Sequence, residues 1–236
     1  SAREICTTRG HACQWGVRDG GAHRRRATGG AGGLYRITTN PKEARGAALA
    51  QAFNAGAVIA DPEFVQFHPT ALDVAADPAP LATESLRGEG SRLVNADGTA
   101  FMHRYHAQAE LAPRDVVARA IHAERVAGRG AFLDCRNSVG HYFPARFPTV
   151  FNACQQVGVD PRTQLIPVAP AAHYHMGGIA TDVWGRSTVP GLSACGECAS
   201  TGAHGANQII CCANQIFSAR SRESILRKAN QPVAVP

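Results

Sequence analysis

Pro170 to Asp182 reads PAAHYHMGGIATD, and the fold is read outward from this stretch. Its histidines, His173 and His175, alternate with Tyr174. Successive side chains of a strand point to opposite faces, so the two imidazoles share one face and the tyrosine takes the other. Gly177-Gly178 follows, and its missing side-chain bulk lets a flat ligand or another backbone come close. Histidines placed this way serve as a satisfied structural pair or as metal ligands. The stretch alone does not separate the two.

The chain has 236 residues, enough to bury a core as one large domain or two small ones. Hydrophobic residues make up 44% and charged residues 18%, an ordinary globular balance. No apolar run reaches the length of a membrane span, and no secretory-signal pattern is read ahead of the first motif. The net charge of +6 suits an anionic ligand. No basic stripe with interleaved aromatics points to nucleic acid. Arg24-Arg25-Arg26 reads as a solvated face. The eight cysteines read as reduced cytoplasmic thiols. Cys195-Gly-Glu-Cys198 has redox or zinc-knuckle spacing but lacks an evident second ligand pair, so no metal is expected.

Away from that stretch, local signals place the elements. Residues 1–26 carry no clear period. Asn40 as N-cap, Pro41 at the first helical position and Glu43 in a capping box predict an alanine-rich helix through Phe53, stopping near Gly56. Ala57 to Ala60 and Phe64 to Phe67 read as short strands, Ala71 to Pro80 as a loop, and Leu81 to Arg87 as extended or loop. Arg92 to Gly98 reads as a hairpin turning at Asp97-Gly98. Pro113 opens a helix with Val116, Val117, Ala120 and Ile121 on its apolar face. Phe132 to Asp134 reads as a buried strand and Phe147 to Gln156 as a helix closed by Gly158. Strands return from Ile166 to Glu197, and a further helix is expected from about Gly205 to Arg227. Arg87 and Glu89 read as an internal ion pair.

Several long motifs then recur in one order: ATGG from Ala27, EFVQFHPTAL from Glu63, ATESLRGEG from Ala82, ELAPRDVVARAI from Glu110, the histidine stretch, and GECASTGAHGANQ from Gly196. Over about Ala27 to Asn207 this set resembles the flavoprotein family of L-aspartate oxidase, succinate dehydrogenase and fumarate reductase. The Leu-Ala-Pro-Arg-Asp sequence around Arg114 is most similar to the aspartate-oxidising branch. The resemblance implies an α+β / α/β fold, a capping domain of the fumarate reductase type flanked by pieces of a Rossmann-like FAD-binding domain. The expected division is 1–40 for the head and an FAD-domain piece, 41–167 for the capping domain, and 168–236 for the returning FAD-domain segment and C-terminal helix.

The resemblance also implies FAD as cofactor and a dicarboxylate substrate: L-aspartate, fumarate or succinate. The implied reaction is oxidation of L-aspartate to iminoaspartate in NAD biosynthesis, with oxygen or fumarate as acceptor and quinolinate synthase as pathway partner. The alternatives are a succinate dehydrogenase or fumarate reductase flavoprotein subunit, or a non-catalytic member of the family. His68, Thr83 and His173 fall on substrate-carboxylate positions, and Arg114 on the position that holds substrate and delivers a proton. These four are expected to converge on one cleft. Arginine suits a carboxylate through its planar, permanently charged fork, and histidine donates while titrating near neutrality. Gly29, Gly30, Glu197 and Asn207 fall on FAD positions. Gln208 stands where the family has a second substrate arginine, so dicarboxylate binding is expected to be weaker. No GxGxxG fingerprint occurs in the chain, and these residues alone are expected to bind FAD weakly or not at all. The head before Ala27, with no buried-strand pattern in His23-Arg24-Arg25-Arg26, reads as divergent, mis-assigned or disordered.

Overall fold

The computed structural model of the chain describes residues 24–26 and 28–202. The strands are β1 (Arg24–Arg26), β2 (Ile59–Ala60), β3 (Val65–Leu72), β4 (Arg92–Val94), β5 (Phe132–Asp134), β6 (Ile166–His175), β7 (Gly178–Ala180), β8 (Leu192–Ala194) and β9 (Ala199–Ser200). The helices are α1 (Ala47–Asn54), α2 (Glu84–Gly88), α3 (Arg114–Val126), α4 (Phe143–Arg146) and α5 (Pro148–Gln156). The mixture of short helices and separate sheets is α+β. It divides into two compact units.

One unit comprises Tyr35–Asn40 and Phe67–His173. Its sheet has the order β3-β6-β5-β4, with antiparallel pairing at β4–β5 and β5–β6. Leu133 pairs with Leu93 on one side and Ile166 on the other, so three fully buried aliphatic side chains line up across the strands. Helix α3 adds Val117, Ala120 and Ile121, the spacing of one helical face, to a core that also takes Phe101, Met102 and Phe143. Glu124 is the next residue on that stripe and is fully buried. Its carboxylate accepts from Arg129, Arg104 and Tyr105, which supplies the partners that a buried charge requires.

The other unit is discontinuous and, in the described residues, draws on 24–34, 41–66 and 174–202. It holds the small sheet β2-β7-β9 and the parallel pair β1–β8. Its core is smaller and includes Leu49 and Ala52 of α1, Ile179 of β7 and Cys198.

Four expectations fail for physical reasons. The helix expected from Pro41 starts at Ala47, with Gly46 in the left-handed region (φ 73°) ahead of it. Asn40 lies six residues ahead of the N-cap position, and its side chain is held elsewhere, with Nδ2 donating to the Ala172 and His173 carbonyls. The stretch 81–87 contains α2: Thr83 accepts from the Ser85 amide, Glu84 occupies the first turn, and Leu86 is buried. Ala71 and Leu72 extend β3 rather than opening a loop. Outside these, Arg24–Arg26 forms a strand parallel to β8, since ladder bonds come from the backbone. The helix expected from Gly205 lies outside the described residues.

Candidate functional site

His68 and His173 stand on adjacent strands, β3 and β6, with ring centroids 5.2 Å apart and planes at 72°. His68 is 3% exposed. Its Nδ1 accepts from the Thr70 amide at 3.3 Å, so in the neutral ring the proton sits on Nε2. Burial holds its pKa down at about 3, with His173, Arg114 and Arg87 adding like-charge repulsion. The His173 pKa is also lowered, by burial first and Arg114 second. Its Nδ1 lies 2.7 Å from Thr39 Oγ1. Both rings are therefore neutral at pH 7, which avoids stacking further positive charge beside Arg114.

Arg114 opens α3, where the helix N-terminus disfavours a cation. Glu84 offsets this: its Oε2 accepts from Arg114 Nε at 2.9 Å and Nη2 at 2.6 Å. The same carboxylate meets Arg87 Nη2 at 3.2 Å through Oε1. Arg87 is 2% exposed and donates through Nη1 to the Glu110 carbonyl. Burial lowers its pKa, and Glu84 pulls it back up. The expected Arg87–Glu89 pair is not made. Glu89 binds Arg146, because the i,i+3 spacing from Glu84 to Arg87 puts that pair on one helix face, while Glu89 follows the last turn. Thr83 begins the same helix as its N-cap. One unit thus brings together His68, Arg114 and His173, with Glu84 fixing the guanidinium and Thr83 directly preceding Glu84.

The second unit places the glycine turn against the other motif ends. A Cβ on Gly30 would lie 2.5 Å from His175 Cβ and 2.8 Å from Glu197 Oε1, so only glycine fits there. Gly29 adopts φ 73° beside it. Glu197 accepts from the His175 amide at 2.8 Å. Burial raises its pKa, and backbone donors from His175 and Gly30 oppose that. The His175 ring bonds the Pro62 carbonyl through Nε2 at 2.9 Å, while its Nδ1 is buried without a partner. The close approach at Gly177-Gly178 is to backbone: a Cβ on Gly177 would meet the Asp61 carbonyl oxygen at 1.9 Å, and one on Gly178 the Cys198 oxygen at 2.6 Å.

Asn207 and Gln208 lie outside the described residues. Sequence reasoning missed Thr39, Glu84 and His175 as members of these groups. Glu84 carried a signal, since it follows a capping threonine and precedes Arg87 by three. Thr39 carried none, because its partner is 134 residues away. Cys135 and Cys154 are buried free thiols. Among the described residues no group of three or more His, Cys, Asp or Glu could hold a metal ion. No helix among them is long and apolar enough to cross a membrane.

A family profile described as FAD binding domain matches residues 17–212. The L-aspartate oxidase of Caulobacter vibrioides is 67% identical over 183 residues, covering 78% of this chain and 36% of that protein. That of Streptomyces coelicolor is 52% identical over 189 residues, covering 78% and 32%. The chain spans about a third of the length of these curated relatives. Among solved structures, an E. coli quinol fumarate reductase matches with a TM-score of 0.71 and 34% identity, covering 89% of this chain and 40% of the other. The Mycobacterium smegmatis Sdh1 in complex with UQ1 matches with a TM-score of 0.65 and 37% identity, covering 79% and 32%.

Proposed function

This chain belongs to the FAD binding domain family, and from that premise we propose that it supplies the dicarboxylate-binding part of an L-aspartate oxidase. The proposed reaction takes L-aspartate to iminoaspartate, with oxygen or fumarate as final acceptor. The observation that carries this reading is the grouping of two neutral imidazoles, His68 and His173, with the Glu84-anchored guanidinium of Arg114. Identity of 67% to an L-aspartate oxidase, against 34% and 37% to the fumarate reductase and Sdh1 structures, favours the aspartate-oxidising branch.

The residues suit the task. Arg114 offers a charged, planar donor to one substrate carboxylate. Glu84 takes its Nε and an Nη2 proton, which fixes the plane of the fork. Half-exposed as it is, Glu84 also links Arg114 to solvent. His68 offers Nε2–H, with His173 beside it. The Thr83 oxygen accepts from Ser85, and its own O–H remains a donor for substrate. The chemistry that FAD would supply when bound is acceptance of the hydride from the substrate Cα. The proposed FAD contacts are Gly29, Gly30, Glu197 and Asn207. The Glu197 carboxylate, held by the His175 amide, is an acceptor that fits a hydroxylated chain.

The unit holding the histidines and Arg114 is taken as the capping domain. An imine product hydrolyses in water, which argues for a consuming partner; quinolinate synthase is the one proposed. Free thiols fit a reducing cytoplasm. Calorimetric titration with succinate tests the reading. Arg114→Ala should weaken binding tenfold or more, because a charged hydrogen bond contributes about 1.5–3 kcal/mol. Equal affinity in the folded variant would overturn it.

A further inference from the structure

We propose that Thr39 is a positioning residue that fixes the tautomer of His173, keeping the ring proton on Nε2. The purpose of that tautomer rests on the dicarboxylate reading above, whereas the contact itself stands on geometry.

Thr39 Oγ1 lies 2.7 Å from His173 Nδ1, and either atom could in principle be the donor. The neighbouring carbonyl decides the direction. Ala172 O already accepts from the Thr39 amide at 3.0 Å, from Thr38 Oγ1 at 3.1 Å and from Asn40 Nδ2 at 3.4 Å. A carbonyl oxygen has two lone pairs, so three donors already crowd it. Thr39 Oγ1 stands 3.5 Å from the same oxygen, at the outer limit of a hydrogen bond. The hydroxyl proton therefore goes to the short contact, Nδ1 accepts it, and the neutral ring keeps its own proton on Nε2. With the proton on Nδ1, the hydroxyl would have only that crowded carbonyl to donate to.

The hydroxyl is also held in place. Thr38 bridges in parallel to Ala172, and the Ala172 amide returns a bond to Ile37 O. His68 is in the same state by a different device, since the Thr70 amide occupies its Nδ1. Two adjacent rings then both present Nε2–H, which is what a dianion requires. A lone pair at either position would face a carboxylate oxygen and leave both unpaired. Burial and Arg114 keep His173 uncharged, so its tautomer, and not its charge, decides whether Nε2 donates.

The test is a long-range proton–nitrogen spectrum of the full chain with labelled histidines, without ligand, at pH 7. His173→Gln identifies the His173 signals. Wild type should show an N–H shift at Nε2 and a hydrogen-bonded imine shift at Nδ1. Thr39→Val should move Nδ1 to the free-imine position or protonate it, and Thr39→Ser should restore the wild-type shifts. Succinate affinity should fall about fivefold in Thr39→Val, the worth of one neutral hydrogen bond, and recover in Thr39→Ser. A protonated Nδ1 in wild type overturns the proposal whether or not any variant folds. So does an unmoved Nδ1 signal in folded Thr39→Val. If the nitrogen shifts move as expected while succinate affinity stays constant, the positioning role stands and the dicarboxylate reading falls.

Discussion

A buried imidazole that must stay neutral makes a protein sensitive to acid, and His68 is the clearest case. Its folded pKa of about 3 lies below the ordinary 6.5. As pH falls from 7, the unfolded chain takes the proton first, so stability is lost progressively down to about pH 3. For a shift of this size the loss between pH 7 and pH 5 is about 2 kcal/mol. His68→Asn keeps an acceptor for the Thr70 amide at the Nδ1 position but cannot titrate. Denaturant midpoints for the variant should change less across that interval, by about the same amount; parallel pH profiles would show that His68 charges without penalty. The motifs around them, rather than residue type, singled out His68, Arg114 and His173 in the sequence. What holds them did not show there. Glu84 reaches across 30 residues to Arg114, and local spacing says nothing about such a partner.

At the scale of elements, legibility followed the source of the stabilisation. Helix α3, strand β5, helix α5 and the turn at Asp97-Gly98 were read correctly because each is specified locally, by an apolar stripe or a turn residue. The start of α1 was misread because Asn40, a good cap by type, lies six residues ahead of the N-cap position and is held by carbonyls more than 130 residues away. Helix α2 was missed because five residues give too little periodicity. The glycine pair after β6 left open a ligand or a backbone, and the neighbour is backbone. Gly177→Ala therefore has nowhere to put its methyl group, with the Asp61 carbonyl 1.9 Å from its ideal position. Displacing that backbone should cost about 3 kcal/mol or more. Urea unfolding of the variant checks this, and a loss under 1 kcal/mol would mean that the turn yields freely.

Across the whole molecule the two units differ in how much apolar surface each encloses. The unit with β4, β5 and α3 has a broad core with several fully buried large side chains; the other relies on short strands and small residues. Amide exchange should therefore be slowest at Leu93, Leu133 and Ile121 and faster at Ile59 and Ile179 by several-fold or more. Uniform protection would mean that the units unfold together. The chain passes between the units at 34/35, 40/41, 66/67 and 173/174. A ribosome delivers it in one direction at roughly 5–20 residues per second. Residues 35–40 therefore leave the tunnel some ten seconds before Ala172 exists to receive Thr38 and Thr39, 134 residues later for Thr38. The strand with His68 and the helix with Arg114 are synthesised first. His173 and its orienting threonine are joined only when β6 is laid in, so the last long strand to be made both closes the sheet and completes the cluster.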